Sequence, residues 1–370
     1  MRAALIREIG QPFQVEDITI AAPTGREVLV DVRASGLCHS DITVARNGMG
    51  IGLPAVLGHE IAGVVAAVGP DVAHIKVGDH VVAAALQPCG HCQACLRGNL
   101  NACSNPGSLD RAPDAEPRLE SGTAPVVQMQ GLGGFAEQAL IHENQLVAIN
   151  PHMPFEQASI IGCAVATGAG SIFNAAKVTP GQSVAIIGCG GVGLNAIQAA
   201  ALAGATTIIA VDIQADKLEL AETFGATATV NSGTEDAAAR VLELTSGAGV
   251  DHAFVMIGVP AVAETAMASL GFGGTTYLVG GMRPGATLDV HPSPADSSLL
   301  SKQQGVRGIW LGSSNFYADI PMYVDLYLQG KLNLDDLISQ RIDLDDINEA
   351  YEALERGGIA RSVITFPASS

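Results

Sequence analysis

The stretch Ser183-Val184-Ala185-Ile186-Ile187-Gly188-Cys189-Gly190-Gly191-Val192-Gly193 limits the fold of this chain more than any other. Its first five residues read as a buried strand, the glycines as a tight turn, and Gly191–Ala203 as a helix. A strand that passes straight into a helix sends the chain back across the sheet to a parallel neighbour. That neighbour is Thr207–Val211, and Asp212 ends it, 24 residues after Gly188. Such glycines let a pyrophosphate approach the backbone at a helix N-terminus, and an acid at the end of the second strand accepts hydrogen bonds from a ribose diol. Gly188, Gly190, Gly191 and Gly193 with Asp212 therefore predict a dinucleotide site. A carboxylate repels a 2′-phosphate, so NAD is expected in preference to NADP. The alternative is an ordinary strand–helix turn. Cys189 reads as a small packing residue.

The same rhythm continues. Strands are expected at Ala228–Val230, His252–Ile257, Thr276–Val279 and Val306–Leu311, with helices at Ala215–Phe224, Glu235–Thr245 and Ala261–Leu270. Strand–helix alternation implies a parallel, doubly wound sheet. Residues 1–150 read differently, as short strands at Arg2–Ile6, Val28–Val32, Ile61–Val68 and His80–Ala84, with Gly, Pro and Asp between them. That suggests a compact β domain. Residues 104–133, rich in proline, glycine and charge, read as a long irregular loop, a kind that is usually functional or interface-forming, or else disordered. Helices at Ile320–Gln329 and Leu344–Arg356 and a strand at Ser362–Phe366 close the chain. For 370 residues, about two domains are expected, a β domain and, from about residue 165, a dinucleotide domain.

Charge excludes some partners. With 19 Lys and Arg against 37 Asp and Glu, the net charge of −18 repels phosphate backbones and anionic lipid. Nucleic acid and membranes are not expected partners. Met1–Glu8 carries charges where a signal peptide needs an apolar run, and no stretch of about 18 apolar residues is present. A cytoplasmic protein is expected, and its seven cysteines then read as free thiols or metal ligands.

Four of the seven form Cys89-x2-Cys92-x2-Cys95-x7-Cys103. This spacing fits a closed all-thiolate structural zinc site, contributing on the order of 10 kcal/mol to local folding. His91, between ligands, is expected to point outward. Surplus or redox thiols are the alternative. A second set is scattered. Gly36-Leu37-Cys38-His39-Ser40-Asp41 packs four polar groups after an apolar alternation, Gly58-His59-Glu60 follows a turn, and Cys163 lies before Thr167-Gly168. Cys38, His59 and Cys163 would supply two thiolates and an imidazole, which leaves one position open on a catalytic zinc. Taken singly, each also reads as a buried cysteine or histidine, and spacing does not decide between the two.

These elements occur in the order found in the zinc-containing medium-chain alcohol dehydrogenases, which the sequence resembles over essentially its whole length. The match includes the terminal Arg361-Ser362-Val363-Ile364-Thr365-Phe366. The resemblance implies an α/β fold in which a GroES-like β catalytic domain over 1–164 is interrupted by a Rossmann domain over 165–310, with 311–370 returning to the first domain. It implies two zinc ions per chain, catalytic at Cys38, His59 and Cys163 and structural at the four-cysteine lobe. Asp41 and Glu60 look like the carboxylates that support the ligands from behind. Ser40 matches the hydroxyl that passes the substrate proton, and His39 and Arg361 match basic residues against the coenzyme pyrophosphate. Thr167 and Val192 look like nicotinamide neighbours, and Lys217 like a residue on the adenosine ribose.

The implied activity is NAD-dependent oxidation of a primary, aryl or secondary alcohol to an aldehyde or ketone, with zinc acting as Lewis acid. Ala85 is expected to line the substrate pocket, where relatives often carry an aromatic residue, and Trp310 and Leu311 to close its far side. Two departures stand out. Thr43 occupies the position of the histidine that often ends the proton relay, and a hydroxyl is a poor base near neutral pH. The arginine of the glutathione-adduct branch has no counterpart at Gly107, although Arg111 is near. A glutathione-dependent formaldehyde dehydrogenase is the rival enzyme, and a non-catalytic NAD-binding protein the rival of another class. The 104–133 loop resembles that of the dimeric branch, so a homodimer is expected.

Overall fold

A computed structural model describes residues 1–112, 114–290, 298–356 and 361–367. The chain divides into two units, one formed by Met1–Cys163 with Asn315–Ser370 and the other by Ala164–Ser314.

In the first unit the strand Glu27–Gly36 is the axis. Its alternation Val28, Val30, Val32, Ala34 is buried throughout, as a half-buried strand requires. It pairs along its full length with Glu60–Val68, which pairs in turn with His80–Ala83, and that with Leu146–Ala148. On its other edge it takes Gln138–His142 at one end and Ser362–Thr365 at the other. Gln340–Ile342 completes this seven-stranded sheet. The last strand thus brings Val363 opposite Gly36, so the end of the chain is built into the sheet that carries Cys38. A four-stranded sheet contains Arg2–Ile6. Leu5, Leu37, Leu57, Phe135, Ile347 and Ile364 share one core cluster. Phe13 stacks on Tyr351 in that cluster, with ring centroids 5.3 Å apart.

The region 104–133 is more regular than its composition suggests. Among its described residues, Leu119–Ser121 pairs with both Thr19–Ile20 and Ala124–Pro125, and Val127–Gln128 with Ala55–Val56. Pro113 lies outside the described residues. Strands of two or three residues show no periodicity, and their partners are distant in sequence.

The second unit is a six-stranded parallel sheet in the order Ala228–Asn231, Thr207–Asp212, Ser183–Ile187, Val250–Val255, Leu270–Leu278, Gly305–Gly308. The chain starts in the middle, winds outward, then crosses to the other half. This is the doubly wound order that leaves a crevice beside the first strand. The helix Gly191–Ala203 begins and ends where the sequence places it. The final strand is shorter than Val306–Leu311. It stops at Gly308, and a single turn over Leu311–Ser313 follows. There Gly312, at φ 64°, passes so close under Ala166 that a side chain would sit 2.0 Å from its carbonyl oxygen. The helical segments Ala164–Gly170 and Ser171–Ala176 precede the first strand, and the first of them shows no amphipathic pattern because nearly all its residues are buried.

Candidate metal centre and dinucleotide site

The chain leaves the axial strand at Gly36 and turns at Cys38, whose extended backbone caps the helix His39–Asn47. Asp41, on the first turn, folds back so that Cys38 N–H donates to its Oδ2 at 3.2 Å. Its Oδ1 accepts from Gly58 N–H at 3.0 Å and lies 3.0 Å from His59 Nδ1. One fully buried carboxylate therefore fastens two loops that are 17 residues apart. With Nδ1 turned to Asp41, His59 presents Nε2, which lies 3.2 Å from Cys163 Sγ. The donor atoms of Cys38, His59, Glu60 and Cys163 all lie within 4.8 Å of one another. Each of these residues is buried.

The electrostatics suit a cation. A hydrogen bond to Cys163 holds the Cys38 thiol well below its ordinary value despite burial. The same bond, with burial, pushes Cys163 well above. Burial alone would lower His59, but Asp41 outweighs it and raises it well above the usual value. Burial drives Glu60 up to about 7, against the pull of Arg361. Both Glu60 oxygens are buried without a hydrogen bond. Two soft thiols and an imidazole oriented by a carboxylate form a three-donor set that fits zinc with one position open, and Glu60 lies beside it. Ser40, exposed, sits with Oγ 3.7 Å from Cys38 Sγ. Thr43 Oγ1 donates to the His39 carbonyl at 2.9 Å.

The four remaining metal-type cysteines also converge, at Cys89, Cys92, Cys95 and Cys103. The Cys89–Cys95 and Cys92–Cys103 sulfurs are each 4.0 Å apart, near the roughly 3.8 Å edge of a tetrahedron with Zn–S bonds of about 2.3 Å. Backbone N–H groups of Cys92, Cys89 and Asn105 point at these sulfurs at 3.3 to 3.4 Å. His91 is exposed and its Nδ1 lies 2.9 Å from the Cys89 carbonyl, outside the cluster.

In the second unit Gly188 turns with φ 101°. A side chain at Gly193 would meet the Gly188 carbonyl at 2.0 Å, so only glycine lets helix and strand approach here. At Gly190 the same position faces open space, room for a pyrophosphate against the helix N-terminus. Asp212 is fixed by three backbone donors, Cys189 at 2.8 Å on Oδ2 and Ile213 and Gln214 at 2.8 and 3.0 Å on Oδ1. Cys189 is buried and burial pushes its thiol up to about 12, as befits a packing residue. Val192, Thr167 and Lys217 are half-buried on this unit.

Other anticipated residues fall as follows. Arg361 is buried, its Nη1 donating to the Leu37 carbonyl at 2.9 Å and its Nη2 3.3 Å from Glu60 Oε1. His39, the first residue of its helix, is exposed. Ala85 is buried in the first unit. Trp310, 62% exposed, and Leu311 belong to the second. The Glu60–Arg361 ion pair and the close approach of Gly36, where a side chain would meet Glu60 Oε2 at 2.2 Å, carried no signal in the sequence. Both depend on strand register between segments far apart in the chain.

A sulfur–nitrogen donor set in one unit and a glycine cradle with its ribose acid in the other define a zinc- and dinucleotide-dependent oxidoreductase. Residues 24–151 match the alcohol dehydrogenase GroES-like domain and residues 191–328 the zinc-binding dehydrogenase family. The chain is 38% identical to an NDMA-dependent alcohol dehydrogenase of Amycolatopsis methanolica, over 98% of both chains. It is 32% identical to an S-(hydroxymethyl)glutathione dehydrogenase of Paracoccus denitrificans, over 99% of both. The crystal structure of benzyl alcohol dehydrogenase from Acinetobacter calcoaceticus superposes with a TM-score of 0.91 at 36% identity, covering 99% of each chain. The chain belongs to the zinc-containing medium-chain alcohol dehydrogenases, and zinc and NAD are the cofactors that go with that family.

Proposed function

We propose that the protein oxidises alcohols, aryl and other primary alcohols first among them, to aldehydes with NAD, and runs the reverse reaction. The observation that carries this reading is the meeting of Cys38, His59 and Cys163, three donors drawn from distant parts of the chain, in one buried cluster. When bound, zinc supplies Lewis-acid polarisation of the substrate oxygen and NAD supplies the hydride acceptor. Cys38, His59 and Cys163 hold the metal, and Cys89, Cys92, Cys95 and Cys103 hold the structural one. Asp41 fixes the His59 tautomer and so the direction in which Nε2 donates. Ser40 accepts the proton that leaves the substrate hydroxyl. Thr43 has committed its own proton to the His39 carbonyl, so the relay ends in solvent at the exposed Ser40. His39 and Arg361 supply positive charge toward the coenzyme phosphates. Gly188 to Gly193, Asp212 and Lys217 bind the coenzyme's phosphates and ribose, and Thr167 and Val192 border its nicotinamide.

Ala85 leaves room where an aromatic residue would narrow the pocket, so benzyl alcohol is expected to be used at higher kcat/KM than ethanol. Activity on benzyl alcohol no better than on ethanol would remove the wide-pocket argument. Metal analysis should find two zinc ions per chain, and one per chain would overturn the catalytic-zinc reading. The rival glutathione substrate finds Arg111, the cation nearest the position expected for its receptor, already engaged. Arg111 donates through Nε and Nη2 to Glu27, through Nη1 to the Glu116 carbonyl and again through Nη2 to the Ala22 carbonyl. Four of its five N–H donors are thus committed within the protein, which disfavours it as the receptor of an anionic adduct. S-hydroxymethylglutathione turnover exceeding that of benzyl alcohol would reverse this ranking.

A homodimer is also proposed. The strand Gly305–Gly308 is at the edge of its sheet, and Phe272 and Leu300 in the same unit are 70% and 82% exposed. Sedimentation equilibrium giving one chain per particle would exclude it.

A further inference from the structure

The axial strand ends directly opposite the start of its neighbour, with Gly36 paired to Glu60. A side-chain carbon placed on Gly36 would lie 2.2 Å from Glu60 Oε2, 3.1 Å from Glu60 Cβ and 3.2 Å from Cδ. The Glu60 carboxylate thus occupies the volume that any other residue at position 36 would fill. Its second oxygen, Oε1, is 3.3 Å from Arg361 Nη2. Neither oxygen receives a hydrogen bond, although Glu60 is fully buried. A buried carboxylate without hydrogen bonds is placed by packing and charge alone. The same carboxylate is within 4.8 Å of the donor atoms of Cys38, His59 and Cys163. It stands one small displacement from being a fourth ligand.

We propose that Gly36 is a positioning residue for the metal centre: by lacking a side chain it gives Glu60 a berth against Arg361, which leaves Cys38, His59 and Cys163 as a three-ligand set with its fourth position free for substrate. This rests on the zinc-dehydrogenase reading above and adds to it what keeps the site open. Gly36 is not among the positive-φ glycines, so alanine meets no backbone strain there and the whole effect of the substitution falls on Glu60. The Arg361 side of the carboxylate is already filled, so the displaced group moves toward the thiols and the imidazole. An oxygen donor in the fourth position makes a closed site of the structural type.

The test compares wild type, Gly36→Ala, Glu60→Ala and the double variant, each full-length, with the buried Cys38 centre loaded with cobalt(II). Imidazole serves as the probe for an open coordination position. Wild-type protein should change its visible spectrum on imidazole binding. Gly36→Ala should retain its full metal content, lose the imidazole response at least tenfold in affinity, and turn over benzyl alcohol at least tenfold more slowly. In the Glu60→Ala background the same Gly36→Ala change should alter neither readout by more than twofold. If Gly36→Ala does not fold, the double variant should fold, because the slot is vacated. An imidazole response in Gly36→Ala equal to wild type would overturn the proposal. So would independent, multiplying effects of the two substitutions, or a double variant that also fails to fold. Failure of the underlying function looks different, since wild type itself would then hold one metal ion and show no imidazole response.

Discussion

Asp41 shows how much a single residue organises. It is fully buried, yet accepts from two backbone N–H groups and faces His59 Nδ1. Its charge is tolerated because all its interactions are with donors. Asp41→Asn keeps the shape but turns one acceptor into a donor that faces other donors. Zinc affinity at the Cys38 centre should fall about 10–100-fold, while the four-cysteine zinc is retained. Chelator competition monitored by metal content checks this, and unchanged affinity would show that His59 needs no support from Asp41. The identities of Cys38, His59 and Cys163 were legible in the sequence because thiols and imidazoles are scarce and carry distinctive chemistry. Their convergence was not, since the separation of 104 positions between His59 and Cys163 leaves no spacing rule. Arg361 presented itself as a coenzyme contact, and the structure shows in addition that it is the cation beside Glu60.

Between elements, a charged cluster ties the axial strand to the 104–133 segment. Glu27, 4% exposed at the start of that strand, receives Arg111 on both oxygens, Arg118 on Oε1, and the Thr24 N–H and hydroxyl on Oε2. Burial pushes its carboxyl up, but the two guanidiniums and the Thr24 N–H outweigh burial and bring it to about 2. Such a shift is on the order of 3 kcal/mol at neutral pH. Because the folded value lies below the ordinary one, the stabilisation is fully present above about pH 4.5 and is lost as pH falls toward 2. Glu27→Gln should lose on the order of 3 kcal/mol at pH 7, since it also leaves two half-buried guanidiniums short of a partner. The gap to wild type should narrow markedly by pH 3 in urea unfolding. A gap that stays constant with pH would mean that the carboxylate charge is irrelevant.

Composition made this segment look irregular, because proline and glycine mask strands of two or three residues whose existence depends on distant partners. The long strands and the Gly191–Ala203 helix were legible for the opposite reason, as their patterning is local. The strand Leu270–Leu278 is longer than its apolar stretch, since Gly271, Gly273 and Gly274 dilute the pattern.

At the scale of the whole molecule, two cofactors act on two cores. The first unit holds both metal clusters and a core built around Leu37, Leu57, Phe135 and Ile364. The second holds the glycine cradle and a separate core around Ala185, Ile209, Val211 and Val255. A ligand stabilises the state it binds by mass action, and opening occurs in locally cooperative blocks. Zinc should therefore protect the first unit and NAD the second. Hydrogen exchange followed by mass spectrometry separates the two effects. Removing metal with a chelator should speed exchange over 36–60 and 89–103 by tenfold or more, while 183–187 and 207–212 change little. NAD added to the zinc-loaded protein should slow exchange at 188–195 and 212–217 more than at 89–103. The chain crosses between the units twice, at Cys163–Ala164 and at Ser314–Asn315, so coupling through these crossings is the competing outcome. Chelation that loosens the central strands of the second unit as much as the cysteine lobe would show that the two cores open as one block, and that the zinc ions stabilise the whole enzyme instead of the unit that holds them.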